Sequence, residues 1–524
     1  MKIRLLSLLI ISTINTTFAQ IKISDVEPLR FSHLKDQLFF PAYKEGSGRE
    51  LWKSDGTPSG TSLVKDIFSG PNDGVWWYYN NEAVELNNDV YFLASDSESV
   101  GELWKTDGTE AGTKKITHFM NGNVSKITLV GNQIFFLVQP PEQSIQVWKS
   151  DGTENGTVLV KSNIQVASRA TFEGKAGNTF IFTAGIYGTD NVKVWRSDGT
   201  ADGTFPITEE IDGNGSGNDG GYGGTSLLSQ YIEHNQKLYF VSRNYIYETD
   251  GTLQNTKKTY YDISNIGEST IRHSDVIAIN NKLYFLYFSV ETSTLIIQEM
   301  KSDLSGLKEI YYKRGSTYFS PSNLADYNGN LMFTTGNDSG GTSLAYLDLQ
   351  NYSLNYLKEI APSRQKPFFF DFTLTLNRIS KIDDNFYFTT SAMTEDYMRT
   401  GWVTTASKTE NLSVLDNIWF FTSYKNNLYY SRSGFWKFDK NLLQTKETEK
   451  VEINIYPNPV VDEINFKLNG SETVQSVIIL DSSGKTILTT PYKSKITVSS
   501  LMPGIYFVKL KLKDSEILKK IIKK

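Results

Sequence analysis

Glu102-Leu103-Trp104-Lys105-Thr106-Asp107-Gly108-Thr109-Glu110-Ala111-Gly112-Thr113 is the stretch that decides the fold, because versions of it return at steady intervals along the 524 residues. The nearest copies are Glu50 to Thr57, Val147 to Thr153 and Val194 to Thr200, each with a further Gly-Thr four residues on. Weaker copies follow at Tyr247 to Thr252, Met300 to Asp303 and Trp436 to Asp439, and degenerate ones surround Tyr346 and Trp402. In Ser/Thr-Asp-Gly-Thr the Asp carboxylate can accept from the N–H groups that follow it, and Gly supplies positive φ without steric cost, so the motif encodes one turn geometry.

A second marker precedes each copy: a turn residue, then a short apolar run. The runs centre on Phe39, Tyr91, Phe135, Ile181, Tyr239, Tyr284, Met332, Tyr387 and Tyr429. Nine units with a period near fifty residues imply a propeller or a solenoid. Within one unit the pattern reads as four short strands, for instance Ala83 to Leu86, Val90 to Ala94, Gly101 to Lys105 and Lys114 to Thr117. A four-stranded sheet cannot bury both faces alone, so the recurring Trp of the third strand is read as packing between neighbouring sheets. The expectation is an all-β chain: a large β-propeller of four-stranded blades, nine repeats by count and seven to nine blades, over residues 22–446. An exposed ring of tryptophans reading sugars is the alternative use of those side chains.

Trp-Lys-Ser/Thr-Asp-Gly-Thr with its trailing Gly-Thr resembles the ELWxxDGT repeat proteins. That resemblance implies a β-propeller of the kind common among secreted proteins of bacteria with type IX secretion. It brings no catalytic residues to carry over.

Composition limits the chemistry. There is no Cys, which excludes disulfides, thiolate metal sites and Cys nucleophiles. The four His (His33, His118, His234 and His273) form no i, i+4 pair, which argues against a zinc centre. No cofactor loop or nucleophile motif is present; Gly484-Lys485-Thr486 has Ile479 where a phosphate-binding loop needs its first Gly.

Residues 1–19 carry Lys2 and Arg4, the apolar run Leu5 to Ile11 and a Thr17-Phe18-Ala19 end. This reads as a signal peptide cleaved after Ala19, too short in its apolar run to span a bilayer, so the chain is not expected to be an integral membrane protein. The Gly-rich segment Asp212 to Gly224 puts Asp212, Asn214, Ser216 and Asn218 at alternate positions of an EF-hand-like register, but position twelve is Gly223 rather than a bidentate Glu. It reads either as a glycine loop with no cofactor or as a Ca²⁺ site.

Residues 447–452 read as a linker, and residues 453–524 as a small Ig-like β-sandwich. From residue 451 onward there are 11 Lys and no Arg against 7 Asp and Glu, while the whole chain is −5. The propeller body is therefore acidic, which argues against nucleic acid as a partner. Tyr456-Pro457-Asn458-Pro459, Asp481 to Lys485, Gly504 to Phe507 with Tyr506, and Lys519 to Lys524 resemble the type A sorting domain of type IX secretion. The resemblance implies the type IX secretion machinery as a partner and a secreted or surface location.

Strand order predicts the working surface. In a four-stranded meander the 1–2 turn and the Asp-Gly-Thr loop share one end, and the 2–3 loop shares the other with the crossing to the next unit. Phe39 to Trp52 spans 13 residues but Tyr429 to Trp436 only 7, so the second end is the variable one. The crossing there delivers Trp76, Trp77, Tyr78 and Tyr79, suited to a glycan or a surface protein, or else merely an aromatic strand start. The functional expectation is an exported binding or adhesion propeller without catalysis. The rival is a glycan- or peptide-active enzyme whose site is assembled from several blades.

Overall fold

The computed structural model describes residues 20–524 apart from 76–82, 98–100, 120–121, 141–143, 165–172, 186–191, 210–230, 243–244, 261–270, 290–293, 315–323, 337–341, 362–374, 392–398, 405–408, 413–414, 417, 419, 439–451, 470–473, 482–484 and 512–515. Two compact units divide it, Met1–Asp439 and Lys440–Lys524. Both are all-β.

Among the described residues the first unit holds nine antiparallel sheets, built on strands that follow one another in chain order except for one strand of the last sheet. All nine apolar markers lie in second strands, from Phe39 in Gln37–Lys44 to Tyr429 in Asn427–Ser431, and all are buried. The turn before each of these strands has positive φ in at least one central residue, as at Asn87-Asn88 (51°, 66°) and Asn280-Asn281 (50°, 60°). Asn, Asp and Gly tolerate that region, and the mirror-image turns it makes suit the twist of a two-residue hairpin. Strand ends fall within a residue or two of expectation: Val84–Leu86, Asp89–Ala94, Glu102–Thr106 and Lys114–Lys115.

The sheets stack through shared apolar seams. Phe39, Leu51 and Val64 of the first sheet meet Val90, Phe92 and Trp104 of the second. Met332 and Leu344 of the seventh meet Phe388 and Trp402 of the eighth. Tyr429 and Phe435 of the last sheet meet Phe40 and Trp52 of the first. The first unit is a β-propeller, and its last sheet takes its outermost strand from the other end of the unit: Gln20–Ser24 pairs antiparallel with Phe435–Phe438.

The Trp of the repeat sits opposite an aromatic of the second strand, in the pairs Phe40/Trp52, Phe92/Trp104, Phe136/Trp148 and Phe182/Trp195. In the sixth sheet Phe285 faces Gln298, so Met300 does not take the Trp position that its spacing from Asp303 suggests. Met300 pairs with Leu283 instead, where the first sheet has Ser54 against Leu38. The third strand runs two residues further before its turn, which bends through Leu304 (φ 62°) rather than through a Gly after the Asp.

The second unit is a sandwich. One sheet joins Glu452–Tyr456, Glu463–Asn469 and Lys495–Thr497; the other joins Thr486–Pro491, Ser476–Leu480, Gly504–Lys511 and Glu516–Lys523. Val460, Ile464 and Phe466 pack against Val477, Ile479, Val508, Leu510 and Ile521 between them.

Candidate functional site

The Asp-Gly-Thr end of the propeller is spent on itself. In the first sheet Asp55 Oδ1 accepts from Thr57 N at 2.9 Å and Thr57 Oγ1 at 2.7 Å, Gly60 N donates to Thr57 Oγ1 at 3.0 Å, and Ser54 Oγ meets Thr61 Oγ1 at 2.7 Å. The same contacts recur around Asp107, Asp151 and Asp198. The Thr hydroxyl and N–H hold Asp55, Asp107 and Asp151 below the usual carboxylate range. The carboxylate occupies the space beside the trailing Gly: a Cβ at Gly112 would lie 2.1 Å from Asp107 Oδ1. The Gly of the turn itself lies against the preceding sheet, where Tyr91 Oη donates to Gly152 O at 3.2 Å. Hairpin turns are tied sheet to sheet as well, by Lys35 N to Glu85 Oε2 at 2.7 Å, Lys381 Nζ to Asn328 Oδ1 at 2.7 Å and Asn426 Nδ2 to Asp383 Oδ1 at 2.7 Å.

The opposite end varies. The 2–3 connection runs from Ser242 to Tyr245 in the fifth sheet but from Ala184 to Lys193 in the fourth. Here the Glu of Glu-Leu-Trp, to which sequence reasoning assigned no role, is a buried anchor for the returning chain. Glu50 Oε1 accepts from Phe68 N at 3.1 Å, and Glu102 Oε1 from Phe119 N at 2.7 Å. Burial pushes Glu50 up to about 7, against the backbone N–H groups that favour its charged form. Arg49 adds N and Nη1 bonds to Asp73 at 2.7 and 2.9 Å, and Val75 at the end of this crossing is fully buried. Trp76, Trp77, Tyr78 and Tyr79 begin at the next residue and lie outside the described residues, as do Asp212, Asn214, Ser216 and Asn218. Among the described residues no group of three or more His, Asp or Glu could hold a metal ion, and no helix is long and apolar enough to cross a membrane.

A second polar cluster, also invisible in the sequence, joins the third, fourth and fifth sheets. Ser125 Oγ donates to Glu173 Oε2 at 2.9 Å, Lys126 Nζ to Tyr231 Oη at 2.9 Å, and Tyr231 Oη to Glu173 O at 2.7 Å. Burial drives Glu173 up to about 8, opposed by the Ser125 hydrogen bond and the Lys126 charge. Its partners are the protein's own groups, so the cluster ties neighbouring first strands together.

In the second unit the residues expected to mark a sorting domain lie on the two sides of the C-terminal strand Glu516–Lys523. Tyr456 closes the strand Glu452–Tyr456 opposite Asn465, whose Nδ2 donates to Tyr456 O at 3.2 Å. Pro457, Asn458 and Pro459 follow, all exposed, before buried Val460 bridges in parallel to Lys523. Asp481 Oδ1 accepts from Lys485 N at 3.0 Å, closing the Asp-x-x-Gly-Lys turn. Gly504 opens the strand paired with Glu516–Lys523, and Tyr506 leans on the core with its hydroxyl donating to Met502 O at 3.0 Å. The two motifs are 45 or more residues apart in sequence but share the C-terminal strand as neighbour.

Residues 454–524 match the family described as "Secretion system C-terminal sorting domain". This is the type IX sorting domain, so the chain is exported to the cell surface or beyond and engages the type IX secretion system. No curated protein matches the chain. Among solved structures it is similar to the extracellular domains of two putative hybrid two-component systems from B. thetaiotaomicron. One is 13% identical with TM-score 0.33, covering 95% of this chain and 68% of that one; the other is 12% identical with TM-score 0.32, covering 95% and 75%. It is also similar to BamB from Moraxella catarrhalis, 10% identical with TM-score 0.37, covering 68% of this chain and 94% of that one.

Proposed function

From a chain whose last residues are a secretion sorting domain, we infer that the propeller is the cargo: an ELWxxDGT-repeat module displayed at or released from the cell surface, binding a glycan or a protein without catalysis. The observation that supports this most is the contrast between the two ends of the sheets. At one end the carboxylates, hydroxyls and turn glycines are engaged with one another, which leaves a uniform structural rim. At the other end the connections differ from sheet to sheet while the buried Glu50 and Glu102 hold the crossings in place. Variable loops on a constant scaffold are where binding usually resides.

Trp76, Trp77, Tyr78 and Tyr79 follow in sequence on the anchored Val75 and are the proposed ligand-binding residues, because aromatic rings suit sugars or partner proteins. The Asp212 to Asn218 oxygens are the candidate Ca²⁺ ligands, to be read by calorimetric titration with Ca²⁺. A glycan array combined with a hydrolase and lyase screen on the exported protein tests the proposal. Binding without turnover, lost in Trp76→Ala/Trp77→Ala at an unchanged melting temperature, is expected. Turnover of a glycan or peptide would replace the binding reading by the enzymatic one.

A further inference from the structure

The Tyr456-Pro457-Asn458-Pro459 tetrapeptide meets the C-terminal strand in a way its sequence conceals. Val460 N donates to Ile522 O at 2.7 Å and Lys524 N donates to Val460 O at 2.9 Å, the two bonds of a parallel bridge to Lys523. A parallel ladder extended back by two residues would place the backbone N–H of residue 458 on Lys520 O, and its C=O on Ile522 N–H. The structure fills both positions with the Asn458 side chain: Nδ2 donates to Lys520 O at 3.1 Å, and Ile522 N donates to Oδ1 at 2.9 Å.

A primary carboxamide carries the same donor and acceptor as a peptide group, so it can stand in for one. The flanking prolines explain why a stand-in is needed. Pro457 and Pro459 fix φ at about −65° on either side of Asn458, away from the values of a regular parallel strand, and the main chain leaves the ladder there. The outer edge of Glu516–Lys523 is thus covered from Lys520 to Lys524 by one side chain and one residue of backbone. An uncovered edge would present those groups to any other chain.

We propose that Asn458 is a latch for the C-terminal strand, and that the latched edge, Tyr456 to Pro459 together with Lys520 to Lys524, is the single surface the secretion machinery reads. This rests on the sorting-domain reading of residues 454–524. Asn458 acts as a positioning residue: it holds the strand so that two sequence motifs form one recognition element.

The full-length chain is used, with Asn458→Ala, Asn458→Asp and deletion of residues 454–524 compared in the producing cells. Asn458→Ala removes two hydrogen bonds and should speed amide exchange at Ile522 by about tenfold or more, with exchange at Val508 and Leu510 in the core unchanged. Export should fall severalfold in the same variant. Asn458→Asp keeps the acceptor for Ile522 N–H but loses the donor to Lys520 O, so it should lie between wild type and Asn458→Ala in both measurements. Export of Asn458→Ala at the wild-type level overturns the proposal, and so does unchanged exchange at Ile522. Faster exchange at Val508 and Leu510 together with Ile522, in both substitutions, would also overturn it by showing a general loss of folding. Wild-type export of the deletion would instead overturn the sorting reading beneath it.

Discussion

Replacing Gly112 by Ala tests why the repeat carries a second Gly-Thr. Gly112 is not among the positive-φ glycines, so its backbone already suits alanine. By chain entropy alone the change should stabilise the protein by about 0.4–1 kcal/mol. The structure reverses that sign. A Cβ at Gly112 would lie 2.1 Å from Asp107 Oδ1, 2.2 Å from Cγ and 2.4 Å from Oδ2, so a methyl group, which offers the carboxylate no hydrogen bond in return, displaces it. It would give up Thr109 N at 2.8 Å and Thr109 Oγ1 at 2.6 Å, and Gly112 N would lose Thr109 Oγ1 at 3.0 Å. At this exposed loop the three bonds are worth about 1 kcal/mol apiece. After the entropic gain the net loss is about 2 kcal/mol, or about thirtyfold in the loop's opening equilibrium. Amide exchange at Thr109 and Gly112 should accelerate by about that factor. In an Asp107→Ala background the overlap is gone, and Gly112→Ala should be neutral or stabilising. The fifth sheet offers an internal control: Asn255 stands at the trailing position, where its Nδ2 donates to Asp250 Oδ2 at 2.7 Å and Asp250 Oδ1 still accepts from Thr252 N at 2.9 Å and Thr252 Oγ1 at 2.7 Å. Gly112→Asn should therefore lose less than Gly112→Ala. A Gly112→Ala protein as stable as wild type, or one equally destabilised in both backgrounds, would refute the reasoning.

Burial raises Glu173 to about 8 and Glu50 to about 7, so the folded state holds protons that the unfolded chain, near 4.5, has released. Their contribution is full below about pH 4.5 and declines as pH rises through 7 to 8, so Glu173→Gln should flatten the fall in melting temperature between pH 5 and 8; an unchanged profile would count against the assignment. Trp104→Ala empties a buried seam and should lower stability by about 3–5 kcal/mol in guanidinium unfolding. Trp436, half-buried with its indole donating to Arg432 O, should cost clearly less when replaced by Ala. Mass spectrometry of exported protein should find an N-terminus near Gln20 and no peptides beyond about residue 446; an intact Lys524 terminus on exported material would contradict removal of the sorting domain.

The propeller was legible because its decisive features are local. A marker such as Tyr91 announces a buried second strand by its neighbours, and Asn87-Asn88 announces the hairpin through its tolerance of positive φ. The sixth sheet misled because Met300-Lys301-Ser302-Asp303 mimics the motif while its strand runs two residues longer, a difference visible only in the pairing of Phe285 with Gln298. What escaped the sequence depends on distant partners. Glu173 meets Ser125 and Tyr231 across separations of 48 and 58 residues, and Asn458 meets Lys520 and Ile522 across 62 and 64. The tetrapeptide was recognisable as a signature, yet nothing local says that its amide would replace a peptide group.

The pairing of Gln20–Ser24 with Phe435–Phe438 also dictates an order of events. Its partners lie some four hundred residues apart, and closing so long a loop costs about 5 kcal/mol of chain entropy before any contact compensates. The seam between last and first sheets, with Phe40, Trp52, Tyr429 and Phe435, therefore forms at the end of folding. Until the final sheet has formed, the chain is a row of sheets with two unpaired ends. Once the circle closes there is no terminal repeat left to fray. Opening it again requires the aromatic seam and the strand pairing to break together, so the finished ring should persist outside the cell through slow unfolding rather than through a large equilibrium stability.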